Sequence, residues 1–165
     1  KFEKKIGYNI SKNQKFIEYS LVGVSYLKKI SDIIKKNSGG LLIIDYGYME
    51  KKMKNTLKSI SNHKHSNVLK NIGKSDITHN INFYLFKKII DRLGGLKDLI
   101  TTQGSFLVKL GIKDRADIIS QNQSFSKKAD IYYRLKRLID DKEMGSLFKV
   151  MFIKKKDNKY SLGFN

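Results

Sequence analysis

The chain has 165 residues and carries no cysteine and no proline, with 34 Lys and Arg against 15 Asp and Glu for a net charge of +19. That length is enough for one domain with its own core, and the lack of cysteine excludes a disulfide frame and any thiolate metal site. No window approaches the ~18 apolar residues of a membrane span, and the charged start Lys1-Phe2-Glu3-Lys4-Lys5-Ile6 has no signal-peptide core.

Ile6, Tyr8 and Ile10 alternate at period two, which predicts a short strand. From about Lys15 to Lys36 the pattern turns helical. Tyr26 or Leu27, Ile30, Ile33 and Ile34 share one face, with Lys28, Lys29, Asp32, Lys35 and Lys36 opposite. Asn37-Ser38-Gly39-Gly40 ends this helix. The run Leu41-Leu42-Ile43-Ile44 then reads as a strand buried on both faces, as in a parallel sheet covered by helices. It stops at Asp45-Tyr46-Gly47. Ligands of such sheets bind beyond the carboxyl ends of the strands, so Asp45 marks a site edge or caps the turn that follows.

Residues 48–81 are polar and mixed, and hold all three histidines, His63, His65 and His79. A connection this long is usually functional or carries small elements of its own. His63 and His65 lack a third ligand at a metal-site spacing, so no metal is expected. Phe83, Phe86, Ile89, Ile90 and Leu93 predict a helix, with Asn82 as N-cap and Gly94-Gly95 as C-cap. Leu96 to Ile100 predicts a short strand and Thr101-Thr102-Gln103-Gly104 a turn. A brief helix around Phe106 and Leu110 and another over 112–119 follow. Residues 120–125 read as a linker, with Ser126 capping a helix that carries Tyr132, Leu138 and Ile139. Leu147 to Ile153 is the second strong strand. Tyr160, Leu162 and Phe164 alternate as a final strand or tail. No boundary divides residues 1–165: one domain, α/β, one sheet with helices inserted between its last strands.

The charge has two readings. Scarce Ala and Pro beside abundant Lys, Ile and Asn fit codon bias in an AT-rich genome. The lysines are scattered and only Arg92, Arg115, Arg134 and Arg137 are arginine, which argues against a nucleic-acid reader. A basic module that binds RNA or an acidic protein is the alternative.

Several segments in order resemble the MidA-like family of S-adenosylmethionine-dependent methyltransferases. They are Gly39 to Gly47, Thr56-Leu57, Asn62-His63-Lys64, Asp76-Ile77-Thr78-His79-Asn80-Ile81-Asn82-Phe83, Thr102-Gln103-Gly104-Ser105-Phe106-Leu107, Leu110-Gly111-Ile112 with Arg115-Ala116, and Met144 to Val150. The resemblance implies a Rossmann-like class I methyltransferase fold, S-adenosylmethionine as cofactor and methyl transfer to a protein arginine of a respiratory complex I subunit. It implies a mitochondrial matrix setting for a eukaryotic chain and a cytoplasmic one for a bacterial chain. Where the family has Asp before Phe83, this chain has Asn82, an equally good cap.

Enzymes of this fold hold the cofactor at a glycine-rich turn after the first strand, because glycine lets backbone approach the ligand closely. The chain has no Gly-x-Gly, and its strong strand follows a helix, which matches a late strand of the family sheet. The expectation is therefore a carboxyl-terminal portion without the cofactor half, with that half possibly on a separate chain. The absence of an initiator methionine fits a start within a longer polypeptide. Arginine methylation needs a carboxylate to orient the guanidinium and a base for its proton. Asp45, His63 and Asp76 are the candidates. Tyr46, Gly47, Thr78 and Gln103 are the candidates for lining the substrate pocket. Each has a plainer alternative: a loop histidine bonded to backbone, a local turn at Asp76 and Thr78, a turn residue at Gln103.

Overall fold

The computed structural model describes residues 3–4, 9–12, 14–62, 64–70 and 72–164. Helix α1 spans Leu21–Asn37 and begins where Ser20 accepts a hydrogen bond from the Gly23 amide at 3.0 Å. The predicted start at Lys15 is six residues early. Residues 15–20 are not helical, and side-chain bonds tie this stretch to residues 51–56. Gln14 Oε1 accepts from the Met53 amide at 2.8 Å, and Glu18 accepts from Thr56. Of the strand predicted at the amino terminus, Ile6 and Tyr8 lie outside the described residues.

Ser38 and Gly39, with φ of 68° and 94°, turn the chain into β1, Gly40–Tyr48. β1 therefore runs past Asp45, which lies within the strand rather than at its end. The long polar connection builds a second sheet, where one sheet was expected. Its strands are β2 (Lys58–Ser61), β3 (Lys64–Ser66) and β4 (Asp76–Thr78), in the order β3-β2-β4. The two-residue β5 (Ile81–Asn82) then pairs in parallel with the end of β1 and leads into α2, Phe83–Leu93. Asn82 caps α2 as expected, its Oδ1 accepting from the Leu85 amide at 3.1 Å.

β6 covers Leu96–Thr102, and helices α3 (Gln103–Lys109), α4 (Ile112–Ser120), α5 (Phe125–Ile139) and α6 (Met144–Leu147) separate it from β7, Phe148–Lys155. Two expectations fail here. Thr101 and Thr102 belong to β6, and Gln103 opens α3 because Thr102 is a good N-cap, bonded to the Ser105 amide at 3.3 Å. The cap of α5 is Ser124, two residues ahead of Ser126. The tail forms no strand. Instead Tyr160 and Phe164 pack on Phe152, at ring-centroid distances of 5.5 and 6.1 Å.

The main sheet has the order β5-β1-β7-β6. β7 runs antiparallel between β1 and β6, which are therefore parallel to each other. One face carries Leu41, Ile43, Met151, Ile153 and Ile100 and buries them under Leu27 and Ile34 of α1 and Phe83, Ile89 and Ile90 of α2. Each fully buried side chain of this kind contributes roughly 1.5–3 kcal/mol. On the other face α3, α6 and the tail cover β6 and β7, and α4 and α5 pack outside those helices. Gly145 is required there, since a Cβ would lie 2.2 Å from the Ile139 carbonyl oxygen.

That cover thins out over β1. Leu42, Ile44 and Tyr46 stay 46%, 47% and 40% exposed. The expectation of a strand buried on both faces is thus met in full on one face only. Continuous apolar runs signal two covered faces; here α6 and the Phe148 ring give the second face partial cover.

Candidate functional site

β1 and β6 point their carboxyl ends the same way, and there the strand register sets Asp45, Lys149 and Thr102 in one row across β1, β7 and β6. Side chains in such a row share a face and stand roughly 5 Å apart at Cβ. Asp45 is half-buried, and its Oδ1 accepts from the Tyr46 amide at 2.8 Å. Thr102 caps α3. Lys149 sends its ammonium to the Ser146 carbonyl.

Beyond the row the chain leaves β1 through Tyr48, Met49 and Glu50. Tyr48 is buried, and its hydroxyl accepts from the Lys54 amide at 3.2 Å. Lys54 Nζ lies 2.5 Å from Glu50 Oε1 and 5.2 Å from the Tyr48 ring centre. The Lys54 hydrogen bond holds the Glu50 carboxyl below its usual range, with partial burial opposing. Burial pushes the Lys149 ammonium below the usual lysine range. The negative charge of Glu50 opposes that fall and the positive charge of Lys54 adds to it. The carboxyl ends of the parallel strands, the place where open α/β sheets bind ligands, thus carry Asp45 opposite Lys149 and, just beyond, the exposed Glu50–Lys54 pair, whose charges Lys149 senses.

Of the residues singled out from sequence, β1 brings Asp45, Tyr46 and Gly47 together. The Tyr46 ring lies 4.1 Å from that of Phe148. Gly47 is enclosed: a Cβ there would lie 2.4 Å from the Phe83 ring and 2.6 Å from the Ile81 carbonyl oxygen. Asp76 and Thr78 sit exposed on β4 in the second sheet, opposite Ile60 and Lys58. Gln103 is buried on α3 and donates to the Leu138 carbonyl at 2.9 Å. His63 lies outside the described residues. Tyr48, Glu50, Lys54 and Lys149 were missed. A signal existed for Lys149, as the one charge in the apolar run 147–153, and for Glu50 and Lys54 in their i, i+4 spacing.

The cofactor that the resemblance implies does not fit the described residues alone. The chain lacks Gly-x-Gly, and the glycine nearest the site, Gly47, has its open side filled by Phe83 and Ile81. Among the described residues no three His, Asp or Glu side chains group as a metal site, and no helix is long and apolar enough to cross a membrane.

Residues 1–101 match the family described as "Putative S-adenosyl-L-methionine-dependent methyltransferase". The chain is 30% identical over 123 residues to the mitochondrial protein arginine methyltransferase NDUFAF7 of Danio rerio, and 27% identical over 124 residues to that of Xenopus tropicalis. Each alignment covers 74% of this chain and 28% of the relative, so the chain spans less than a third of the curated relatives it matches. Two crystal structures of superfamily proteins from Burkholderia thailandensis share the fold. They have TM-scores of 0.68 and 0.66, at 23% and 24% identity, over 88% and 86% of this chain and 40% and 38% of theirs. The second holds S-adenosyl-homocysteine.

Proposed function

The chain belongs to the S-adenosyl-L-methionine-dependent methyltransferase family whose pattern its residues 1–101 match, and on that premise we propose that it is the substrate-side portion of a protein-arginine methyltransferase. The observation that carries this reading is the set of charges at the carboxyl ends of β1 and β6, in a chain without a glycine-rich cradle of its own.

In this reading the Asp45 and Glu50 carboxylates receive the guanidinium of the substrate. Charge-assisted, bidentate bonds to a carboxylate fix both the position and the plane of an arginine head. Glu50 is held below the usual carboxylate range by Lys54, so a substrate guanidinium would take the place of the Lys54 ammonium there. Asp76 and Thr78 on β4, together with His63, are the candidates for orienting the substrate or accepting its proton. The portion of the fold that binds S-adenosylmethionine lies outside these residues, and the chain alone is catalytically incomplete. A complex I subunit is the protein substrate that the resemblance suggests.

The test is calorimetric titration of S-adenosylmethionine into the chain alone. No heat is expected. Binding at micromolar concentrations would place the cradle within these residues and overturn the reading.

A second reading is favoured by α5. None of its side chains is buried, and it presents Lys127, Lys128, Arg134 and Arg137 beside the exposed rings of Phe125 and Tyr133. A basic helix with aromatic residues suits RNA or an acidic protein surface. Binding of a single-stranded RNA that weakens steeply between 50 and 200 mM salt supports it, and flat binding counts against it.

A further inference from the structure

The second sheet carries a hollow of its own. It measures about 650 Å³ and is lined beside the β2–β3 hairpin by Ser61, Lys64, His65, Ser66, Asn67 and Lys70, with Asn62 at the turn. The local sequence builds it in two steps. Asn62, at φ 50°, turns β2 into β3, a left-handed conformation that Asn tolerates. The register then sets Ser61 beside Lys64 and Ser59 beside Ser66. After β3, Asn67 Oδ1 accepts from the Leu69 amide at 2.9 Å, and the Asn67 carbonyl accepts from the Lys70 amide at 2.9 Å. That turn brings Lys70 back toward the hairpin, so two segments close on one space.

The lining is rich in donors and has no carboxylate. The one acid on the three strands, Asp76, is on β4, across β2 from β3. Lys35, Lys54 and Lys87 each meet a carboxylate, but neither Lys64 nor Lys70 has an ion pair among the described residues. The Asn67 oxygen is used in its own turn, which leaves the side-chain NH2 to donate. The hydroxyls of Ser59 and Ser66 share one hydrogen bond at 2.8 Å, which leaves one hydrogen of that pair uncommitted. Ammonium, imidazole, amide and hydroxyl donors without a competing acceptor charge suit an anion. Two ammonium groups on one space suit an anion with more than one charge, because hydrogen bonds between ionised partners are the strong ones.

We infer that this hollow binds a small phosphate-bearing molecule, its phosphate held by Lys64 and Lys70 and by the side chains of Ser61, Ser66 and Asn67. The site goes beyond the function proposed above, since neither the row of Asp45 and Lys149 nor α5 contributes to it. Its volume falls within the roughly 300–1,000 Å³ of small-molecule sites, so a phosphate with a further group attached has room. The shared chemistry is a phosphate with two negative charges, whether free, as a diphosphate or as a nucleoside monophosphate. An RNA backbone is the poorer match. Each of its phosphates carries a single charge, and backbone-tracking sites are long basic grooves with aromatic platforms, whereas no aromatic ring lines this hollow.

The experiment titrates the full chain with inorganic phosphate, pyrophosphate and AMP at about 0.15 M salt, where exposed charges more than ~8 Å apart are largely screened. Binding is followed by amide chemical shifts. At least one probe is expected to saturate at millimolar concentration or below, with shifts concentrated in residues 64–70, and the ranking of the three identifies the source of the phosphate. Lys64→Gln with Lys70→Gln is expected to weaken that binding at least tenfold, while the control Lys142→Gln leaves it unchanged. Both lysines of the hollow are exposed, so the melting temperature is expected to stay within a few degrees. Asn67→Asp keeps the turn-forming oxygen but adds a negative charge to the lining, and is expected to weaken binding as strongly. Failure of all three probes to saturate overturns the inference. So do equal losses in Lys142→Gln, or shifts spread over lysines across the surface, since net charge alone would then explain the binding. Single-stranded RNA that binds residues 64–70 more tightly than any of the three probes also overturns it.

Discussion

Asp45 and Lys149 stand directly opposite each other on β1 and β7, yet each is bonded elsewhere, Asp45 to the Tyr46 amide at 2.8 Å and Lys149 to the Ser146 carbonyl. Cross-strand neighbours of opposite charge normally gain from pairing. Here the carboxylate is left with acceptor capacity to spare. An ionised carboxylate has about four lone-pair sites, so Asp45 is available to a cationic ligand without first breaking an ion pair.

Lys149 carries a consequence for stability. Burial pushes its ammonium below the usual lysine range, so the folded protein binds that proton less tightly than the unfolded chain does. Below the folded value both states are protonated and the full penalty applies. Between the folded value and the ordinary one the unfolded state holds more protons, and stability rises with pH. Lys149→Met removes the charge and keeps the stem. The variant is expected to be the more stable at pH 7, with the difference shrinking as pH rises toward the ordinary lysine range. Urea midpoints of both proteins across pH 7 to 10.5 check this, and a constant difference would refute it.

Much of the frame was legible because local signals agreed with the fold. Gly39 and Gly40 ended α1, Asn82 capped α2, and the apolar runs at 41–44 and 147–153 became the two central strands. What escaped depended on partners far along the chain. The extended stretch 15–20 is held by Met53 and Thr56, which no local pattern announces. The apolar run of β1 promised two covered faces, and on one of them Leu42, Ile44 and Tyr46 stay close to half exposed. At the site, Asp45 and Gly47 were visible as punctuation after a strand. The role of Lys149 emerged only from the register that sets it beside Asp45.

A second pair tests how the sheet is fastened to α2. Lys87 Nζ reaches Asp98 Oδ1 at 3.1 Å, and the Asp98 side chain is only 7% exposed. Burial alone would lower Lys87, but the Asp98 hydrogen bond and the charges of Asp98 and Asp91 outweigh it, so the ammonium is held above its usual range. The stabilisation is therefore fully present below the ordinary lysine value and lost as pH rises through the raised one. Lys87→Met strands a buried carboxylate and is expected to cost about 1–3 kcal/mol, discounted toward the lower end because Lys87 is partly solvated. Lys87→Met with Asp98→Asn is expected to recover part of that loss. Denaturant melts of the four proteins in a double-mutant cycle give the coupling, and a coupling of zero would refute the role.

Thr56 joins three segments. Its hydroxyl donates to Glu18 Oε2 at 2.7 Å and accepts from the Asn80 amide at 2.9 Å, and its own amide donates to Glu18 Oε1 at 3.1 Å. Valine has the same shape but leaves the Asn80 amide and one Glu18 oxygen without partners. Thr56→Val is expected to cost about 1–3 kcal/mol, while Thr56→Ser, which keeps the hydroxyl, is expected to cost less than about 1 kcal/mol. Equal losses in the two variants, read from urea unfolding, would show that the hydroxyl is not what matters.

Gly47 separates a packing role from a ligand-facing one. It closes β1 at the candidate site, yet its missing Cβ would meet Phe83 Cε2 at 2.4 Å and the Ile81 carbonyl oxygen at 2.6 Å. Both neighbours are in the core or its backbone, and Phe83 is fully buried. Overpacking of this kind typically costs about 1–3 kcal/mol, and Gly47→Ala is expected to destabilise the isolated chain by at least that much. Phe83→Leu gives up part of the ring, so Gly47→Ala with Phe83→Leu is expected to be more stable than the sum of the single losses implies, although the Ile81 oxygen still obstructs. Thermal melts of the three variants measure this. If Gly47→Ala leaves the melting temperature unchanged, the strand end can shift to admit a methyl group, and the need for glycine there would have to come from a bound ligand instead.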